Sequence, residues 1–253
     1  MEPLDLKYRP IPFWSWNDEL NPEVLVQQIH WMHERGIGGF FMHARGGLKT
    51  PYLGQKWFQC VEACVEEANK LGMKGYAYDE NGWPSGFAGG KLLEEEANRD
   101  RYLEFAYGPF DKKALVSYDD SGDSLVRVSS GGRVLNVYER ISNSTVDILS
   151  KDVVAKFIAA THEEYKKRDR GGLQGFFTDE PQYYRWGHPY TDCLPRYFKE
   201  HYGIDILDGL GLMFVEKAGY RQFRYQYWKA MQDLMLHSYS EQIYSWCEAN
   251  GYK

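Results

Sequence analysis

Residues Ile37–Gly47 read IGGFFMHARGG: an apolar run containing two glycines that stops at a polar cluster, His43 to Gly47. Such a run, Ile37–Met42, fits a short strand buried on both faces. Upstream, Asn21 and Pro22 read as the cap and first position of a helix. Leu25, Ile29 and Met32 form its apolar stripe, and Gly36 ends it. Downstream the plan repeats. Trp57, Val61, Cys64, Val65, Ala68 and Leu71 make a helical stripe, Gly72 closes it, and a strand over Met73–Tyr78 ends in Asp79, Glu80, Asn81 and Gly82. A third pass runs from Val153 through Phe157, Ile158, Thr161 and Tyr165 to a strand over Leu173–Thr178, which ends in Asp179, Glu180 and Pro181.

Helices alternating with apolar strands at this spacing predict parallel βα units joined by right-handed crossovers. Over about residues 102–144 the pattern changes to short alternating segments (ALVSYDD, SLVRVSS, RVLNVYERI) separated by Asp, Ser and Gly, which read as an inserted β-meander. The segment before Asp147 (TVD) reads as one further short barrel strand. Helices are expected over about Asp192–Tyr202 and Gly219–Asn250. The final residues, ANGYK, resemble the helix-to-strand entry points RGIGGFF and LGMKGYAY. The fold expected is therefore α/β: a partial (β/α)8 barrel of about four βα units, one domain over residues 1–253 with a β-rich insert, lacking the carboxyl-terminal half of the barrel. A complete open sheet of four strands is the alternative.

The 253-residue chain has 43% hydrophobic and 26% charged residues, so a globular core is expected. It has no apolar run of about 18 residues, and no membrane partner is expected. Its 36 Asp and Glu outnumber 30 Lys and Arg, leaving a net charge of −6 and no electrostatic footprint for a nucleic acid. Cys60, Cys64, Cys193 and Cys247 are too scattered for a disulfide framework or a CxxC zinc site, and free thiols are expected. The amino terminus, MEPLDLKYRPIPFW, shows no signal peptide. A cytoplasmic location is expected as written, and a periplasmic or secreted one if the amino terminus is incomplete. Aromatic residues make up 16% of the chain, as sugar-stacking clefts require.

In a parallel α/β sheet the reactive groups gather at the carboxyl ends of strands, where each polar cluster falls. Asp79 and Glu80, like Asp179 and Glu180, are neighbours on a strand and should point to opposite faces. One carboxyl group from each pair could then face its counterpart across a sugar, as glycoside hydrolysis requires. His43 and Arg45 share a face, where the guanidinium could hold hydroxyl groups or a carboxylate. Trp14, Trp16, Trp83 and Trp186, in or beside loops, could stack on a sugar ring. His-x-Arg stands where a metal-dependent barrel hydrolase would place His-x-His, which disfavours a transition metal. No organic cofactor is expected.

The segments RPIPFWSWN, GIGGFFMHARGGLKTPYLGQKW, YAYDENGWPSGFAGG and GFFTDEPQY resemble the amino-terminal part of the catalytic barrel of glycoside hydrolase family 106, the α-L-rhamnosidases. The resemblance extends over most of residues 9–251 outside the insert. It implies a (β/α)8 barrel, an inverting glycosidase favouring α-L-rhamnosides, and a calcium ion assisting sugar binding. By the same resemblance Glu180 matches the general acid, and His43, Arg45, Asp79 and Glu80 line the sugar subsite; Trp83 and Asp179, at the same strand ends, are further candidate sugar contacts. The second catalytic carboxylate and at least part of the calcium site would lie beyond Lys253. A non-catalytic carbohydrate-binding module or an inactive fragment is the alternative reading.

Overall fold

A computed structural model describes residues 8–253; residues 1–7, where the leader reading begins, lie outside the described residues. The chain begins β1 (Phe13–Trp16), α1 (Pro22–Glu34), β2 (Gly39–Ala44), α2 (Gln55–Lys70) and β3 (Lys74–Asn81). Four strands come next, β4 (Arg99–Gly108), β5 (Val116–Asp119), β6 (Val126–Arg127) and β7 (Val134–Val146), then helices α3 (Lys151–Ala160) and α4 (His162–Lys166). The chain continues through β8 (Leu173–Phe177), β9 (His188–Tyr190), α5 (Leu194–Tyr202), α6 (Tyr220–Met235) and α7 (Glu241–Ala249). These elements form two compact units: Met1–Leu92 with Ala155–Pro181 and Ile243–Lys253, and Leu93–Val154 with Gln182–Gln242. Among the described residues no helix is long and apolar enough to cross a membrane.

The first unit holds the parallel sheet, in the order β1-β2-β3-β8. The chain is an α/β protein whose four parallel strands do not close on themselves, as a partial (β/α)8 barrel requires. Alternation gives the sheet two faces. Phe40, Met42, Ala44 and Ala77 point to one side and pack with Leu25 and Ile29 of α1 and Trp57, Val61 and Cys64 of α2 in one core. The helices form where their ends are satisfied: the Asn21 side chain accepts the Glu23 and Val24 amides at 2.8 and 3.3 Å, and Pro22 opens α1. Gly39 is required by the close approach of β3, because a Cβ there would run into the Lys74 carbonyl.

The other face carries a run of aromatic rings. Phe13 lies 5.3 Å from Phe41 and 4.7 Å from Phe177, and Phe41 lies 4.9 Å from Tyr76, between ring centroids. A register shift between β3 and β8, where Gly75 pairs with Leu173 but Ala77 with Phe176, puts both Leu173 and Phe176 against the helices. Phe177 is thereby turned to the aromatic face. Beyond α7, Lys253 donates to the Gln174 carbonyl at 3.0 Å and accepts the Phe176 amide at 2.9 Å, the two-bond pattern of a parallel pair beside β8.

The four parallel strands differ from those expected in one member. Residues Thr145–Val146 end the thirteen-residue β7, whose Val146 pairs with Arg99 of β4 in the antiparallel sheet, so the segment before Asp147 is not a barrel strand. The fourth parallel strand is β1, built from the aromatic PFWSW segment. The second unit holds an antiparallel sheet, β6-β5-β7-β4-β9. Its core joins Leu103, Tyr118, Leu135 and Val137 to Leu194 and Phe198 of α5 and Phe223 and Tyr227 of α6. The insert thus recruits β9 and two helices from after β8.

Candidate functional site

The carboxyl ends of β2, β3 and β8 bring the expected residues of the first unit together, but in different environments. His43, on the aromatic face of β2, is 4% exposed and stacks on Tyr78 at 3.7 Å between ring centroids, with Phe13 edge-on. Burial, followed by the nearby charge of Arg45, lowers its pKa to about 4, so the ring is neutral at neutral pH. Neither ring nitrogen has a hydrogen-bond partner among the described residues. Arg45 follows the strand and is exposed.

At the end of β3, Asp79 and Glu80 are both fully buried and point apart, as alternation predicts. Glu80 serves as an anchor for the loop beyond the strand. Its Oε2 accepts the amides of Gly86, Phe87 and Ala88 at 3.1, 2.9 and 2.8 Å, and its Oε1 accepts that of Asn81 at 2.9 Å and that of Gly89. Five converging donors and no acceptor suit a carboxylate. Burial nonetheless raises its pKa above the ordinary value, with the backbone donors opposing. The loop can wrap so tightly because Gly86, Ala88 and Gly89 adopt φ of 133°, 53° and 65°, the middle one strained for a residue with a Cβ.

Asp79 faces the helix side of the sheet. Its Oδ1 accepts the Ser85 hydroxyl at 2.6 Å, and its Oδ2 lies 3.6 Å from Nε2 of His162, a residue with no exposed surface. Burial is the main reason that its pKa rises to about 8.

At the end of β8 the shifted register leaves Thr178 bonded to Asp79 and turns Asp179 toward the aromatic face, where its Oδ2 accepts the Tyr78 hydroxyl at 2.6 Å. Glu180 is exposed, and its Oε2 accepts the Trp83 indole N–H at 3.2 Å. β8 ends at Phe177, and Glu180 has φ = 28°. Strict alternation therefore does not govern Asp179 and Glu180. A non-glycine residue held at positive φ next to an exposed carboxyl group is the kind of local strain that concentrates at functional sites.

The sequence matches no family model and no curated protein. Among solved structures, the rhamnosidase from Novosphingobium sp. PP1Y superposes with a TM-score of 0.69 at 10% identity, covering 98% of this chain. The fold is rhamnosidase-like. The chain spans 46% of the length of that structure. At this identity the likeness carries the architecture alone.

Three members of the cluster, Tyr78, Ser85 and His162, do not stand out as site residues in the sequence. Tyr78 is hidden within a strand, and Ser85 stands in a loop whose conspicuous residue is its tryptophan. His162 adjoins the apolar stripe of Phe157, Thr161 and Tyr165, and that spacing is the one signal that could have placed it against the sheet. Among the described residues no group of three His, Cys, Asp or Glu side chains is gathered to hold a metal ion. The four cysteines are free, with Cys60 and Cys64 fully buried in the core.

Proposed function

We propose that this chain carries the amino-terminal part of a glycoside hydrolase active site, that Glu180 is its general acid, and that α-L-rhamnosides are its preferred substrates. The observation that carries this reading is Glu180 itself: an exposed carboxyl group at a parallel strand end, held at positive φ and bonded to the indole of Trp83. The rhamnosidase-like architecture supports the choice of sugar. In the reaction, the Glu180 carboxylic acid gives its proton to the glycosidic oxygen as the bond to the anomeric carbon breaks, and the Trp83 N–H steadies the carboxylate that results. Asp179, fixed by Tyr78, contacts sugar hydroxyl groups, as does the exposed Arg45. The unpartnered nitrogens of His43 leave a hydrogen-bonding demand that a sugar hydroxyl can meet. Asp79 and Glu80 shape the subsite from beneath. A second carboxylate acting as base on the attacking water completes the reaction.

Glu180→Gln should leave substrate binding intact and lower turnover of an alkyl α-L-rhamnoside by about a hundredfold or more, the scale of general acid catalysis. An aryl rhamnoside with a good leaving group needs little protonation and should be affected far less. Equal losses on the two substrates, or a larger loss in Asp179→Asn, would overturn the assignment. Sugar affinity without turnover in the native protein would instead identify a binding module.

A further inference from the structure

Beneath the candidate site lies a chain of buried polar groups that the proposed chemistry does not use. At its base, the Thr161 hydroxyl donates to the Phe157 carbonyl at 2.8 Å. That hydroxyl has one hydrogen, so the 2.8 Å contact between Thr161 Oγ1 and His162 Nδ1 requires the nitrogen to donate. His162 therefore carries a proton on Nδ1. Its Nε2 faces Asp79 Oδ2 across 3.6 Å, and neither atom has any other partner among the described residues. The gap is longer than a hydrogen bond, but a proton on one atom directed at the other relieves the opposition of two buried lone pairs that its absence would leave. The other Asp79 oxygen accepts from Ser85, whose Oγ in turn accepts the Asp179 amide at 2.9 Å, while the Ser85 amide donates to the Asp179 carbonyl at 2.9 Å. Ser85 thus straps the backbone of Asp179, the residue before Glu180, with two bonds.

We infer that Asp79 and His162 form a neutral acid–imidazole pair in which Asp79 holds the proton and His162 Nε2 accepts it, and that this pair acts through Ser85 to position the Asp179–Glu180 turn. Asp79 and His162 are thereby positioning residues, rather than sugar ligands. The positioning role rests on the proposed function of Glu180; the protonation state does not. A separated ion pair with no exposed surface would forgo the hydration of two charges, a cost that the neutral arrangement avoids. The surroundings favour neutrality from every side. The titratable groups whose charge Asp79 feels are Glu80 and Tyr78 on the same strand, Tyr52 before α2, Tyr165 beside His162 on α4, and Cys247 on α7, and none of them carries a positive charge. Burial raises the Asp79 pKa to about 8 and lowers that of His162 to about 3, the same direction as the geometry.

The test uses Asp79→Asn, since an amide can donate to His162 through its N–H and accept from Ser85 through its oxygen, as the protonated acid does. In the native protein at pH 6 to 7, infrared spectra should show a carbonyl stretch of a protonated carboxylic acid that disappears in Asp79→Asn. Nitrogen NMR should show His162 neutral with its proton on Nδ1 in both proteins. A carboxylate at Asp79, or a doubly protonated His162, would overturn the neutral pair whether or not the protein has glycosidase activity. For the positioning role, Ser85→Ala should lower kcat up to about a hundredfold with KM unchanged, as a displaced catalytic group does, and an unchanged kcat would overturn it. Loss of sugar affinity in Asp79→Asn with the fold intact would return Asp79 to the role of a direct ligand.

Discussion

Replacing Glu80 by Gln changes one oxygen to an amino group and tests whether this carboxylate holds a loop or a sugar. In the protein, three backbone amides converge on one carboxylate oxygen and two, those of Asn81 and Gly89, on the other. The glutamine carbonyl can keep the set of three. Its NH2 must then meet the other two N–H groups, donor against donor, although Asn81 is only half-buried and Gly89 exposed, so water can take up part of the lost acceptor. At the low end of the cost of an unpaired donor, about 1 kcal/mol each, the change should destabilise the unit by about 2 kcal/mol. For a protein of this size that corresponds to a melting point lower by about 4–8 °C. Differential scanning calorimetry measures the loss, and limited proteolysis should show new cleavage within residues 82–92 before the rest of the unit opens. A melting point within about 2 °C of the parent, with weakened sugar binding, would refute the anchoring argument and restore Glu80 as a ligand.

The Asp100 carboxyl in the second unit is 3% exposed, and burial, followed by the charge of Asp147, raises its pKa from 3.8 to about 8. Between those values the folded chain holds a proton that the unfolded chain has released. Its contribution to stability is therefore full below about pH 4 and lost as pH rises through about 8, at about 1.4 kcal/mol per pH unit. Asp100→Asn should flatten that decline in chemical denaturation between pH 5 and 8; an unchanged slope would place the titration elsewhere. Asn21→Ala removes the cap that accepts two amides of α1 and should cost about 1 kcal/mol in the same assay, whereas a neutral result would mean that water replaces the cap fully.

The parallel units were legible because local rules encode them. Asn21 and Pro22 start α1, Gly36 and Gly72 end helices, and the apolar runs after those glycines can only be strands buried on both faces. The number of parallel strands was legible too, but not the identity of each. Phe13–Trp16 alternates between the two faces of the sheet, with Trp16 in the helix-side core and Phe13 among the aromatic rings, so both faces draw large aromatic residues and no polar–apolar period of two shows in the sequence. Thr145–Val146 looked like an isolated strand because the pairing that claims it joins Val146 to Arg99, across a separation no local pattern records. For the same reason β9, α5 and α6 could not be assigned to the antiparallel unit from their own periodicity.

At the strand ends, residue type located the site but could not apportion its roles. Four carboxyl groups in two identical Asp-Glu pairs meet four different environments, and the difference comes from the residues that succeed each strand. After β3 the chain turns back in a glycine-rich loop whose amides need an acceptor, and Glu80 supplies it. Asp79, on the opposite face, is left beneath the helices with Ser85 and His162 as partners. After β8, Pro181 offers no amide, and Glu180 stays exposed, accepting the Trp83 indole N–H. The shifted β3–β8 register then turns Asp179 toward Tyr78 and sends Thr178 to Asp79. An Asp-Glu dipeptide at a strand end is thus a pair of charges whose use is decided by the donors that the next ten residues bring back. By that criterion only the second pair leaves a carboxyl group exposed where a ligand can reach it.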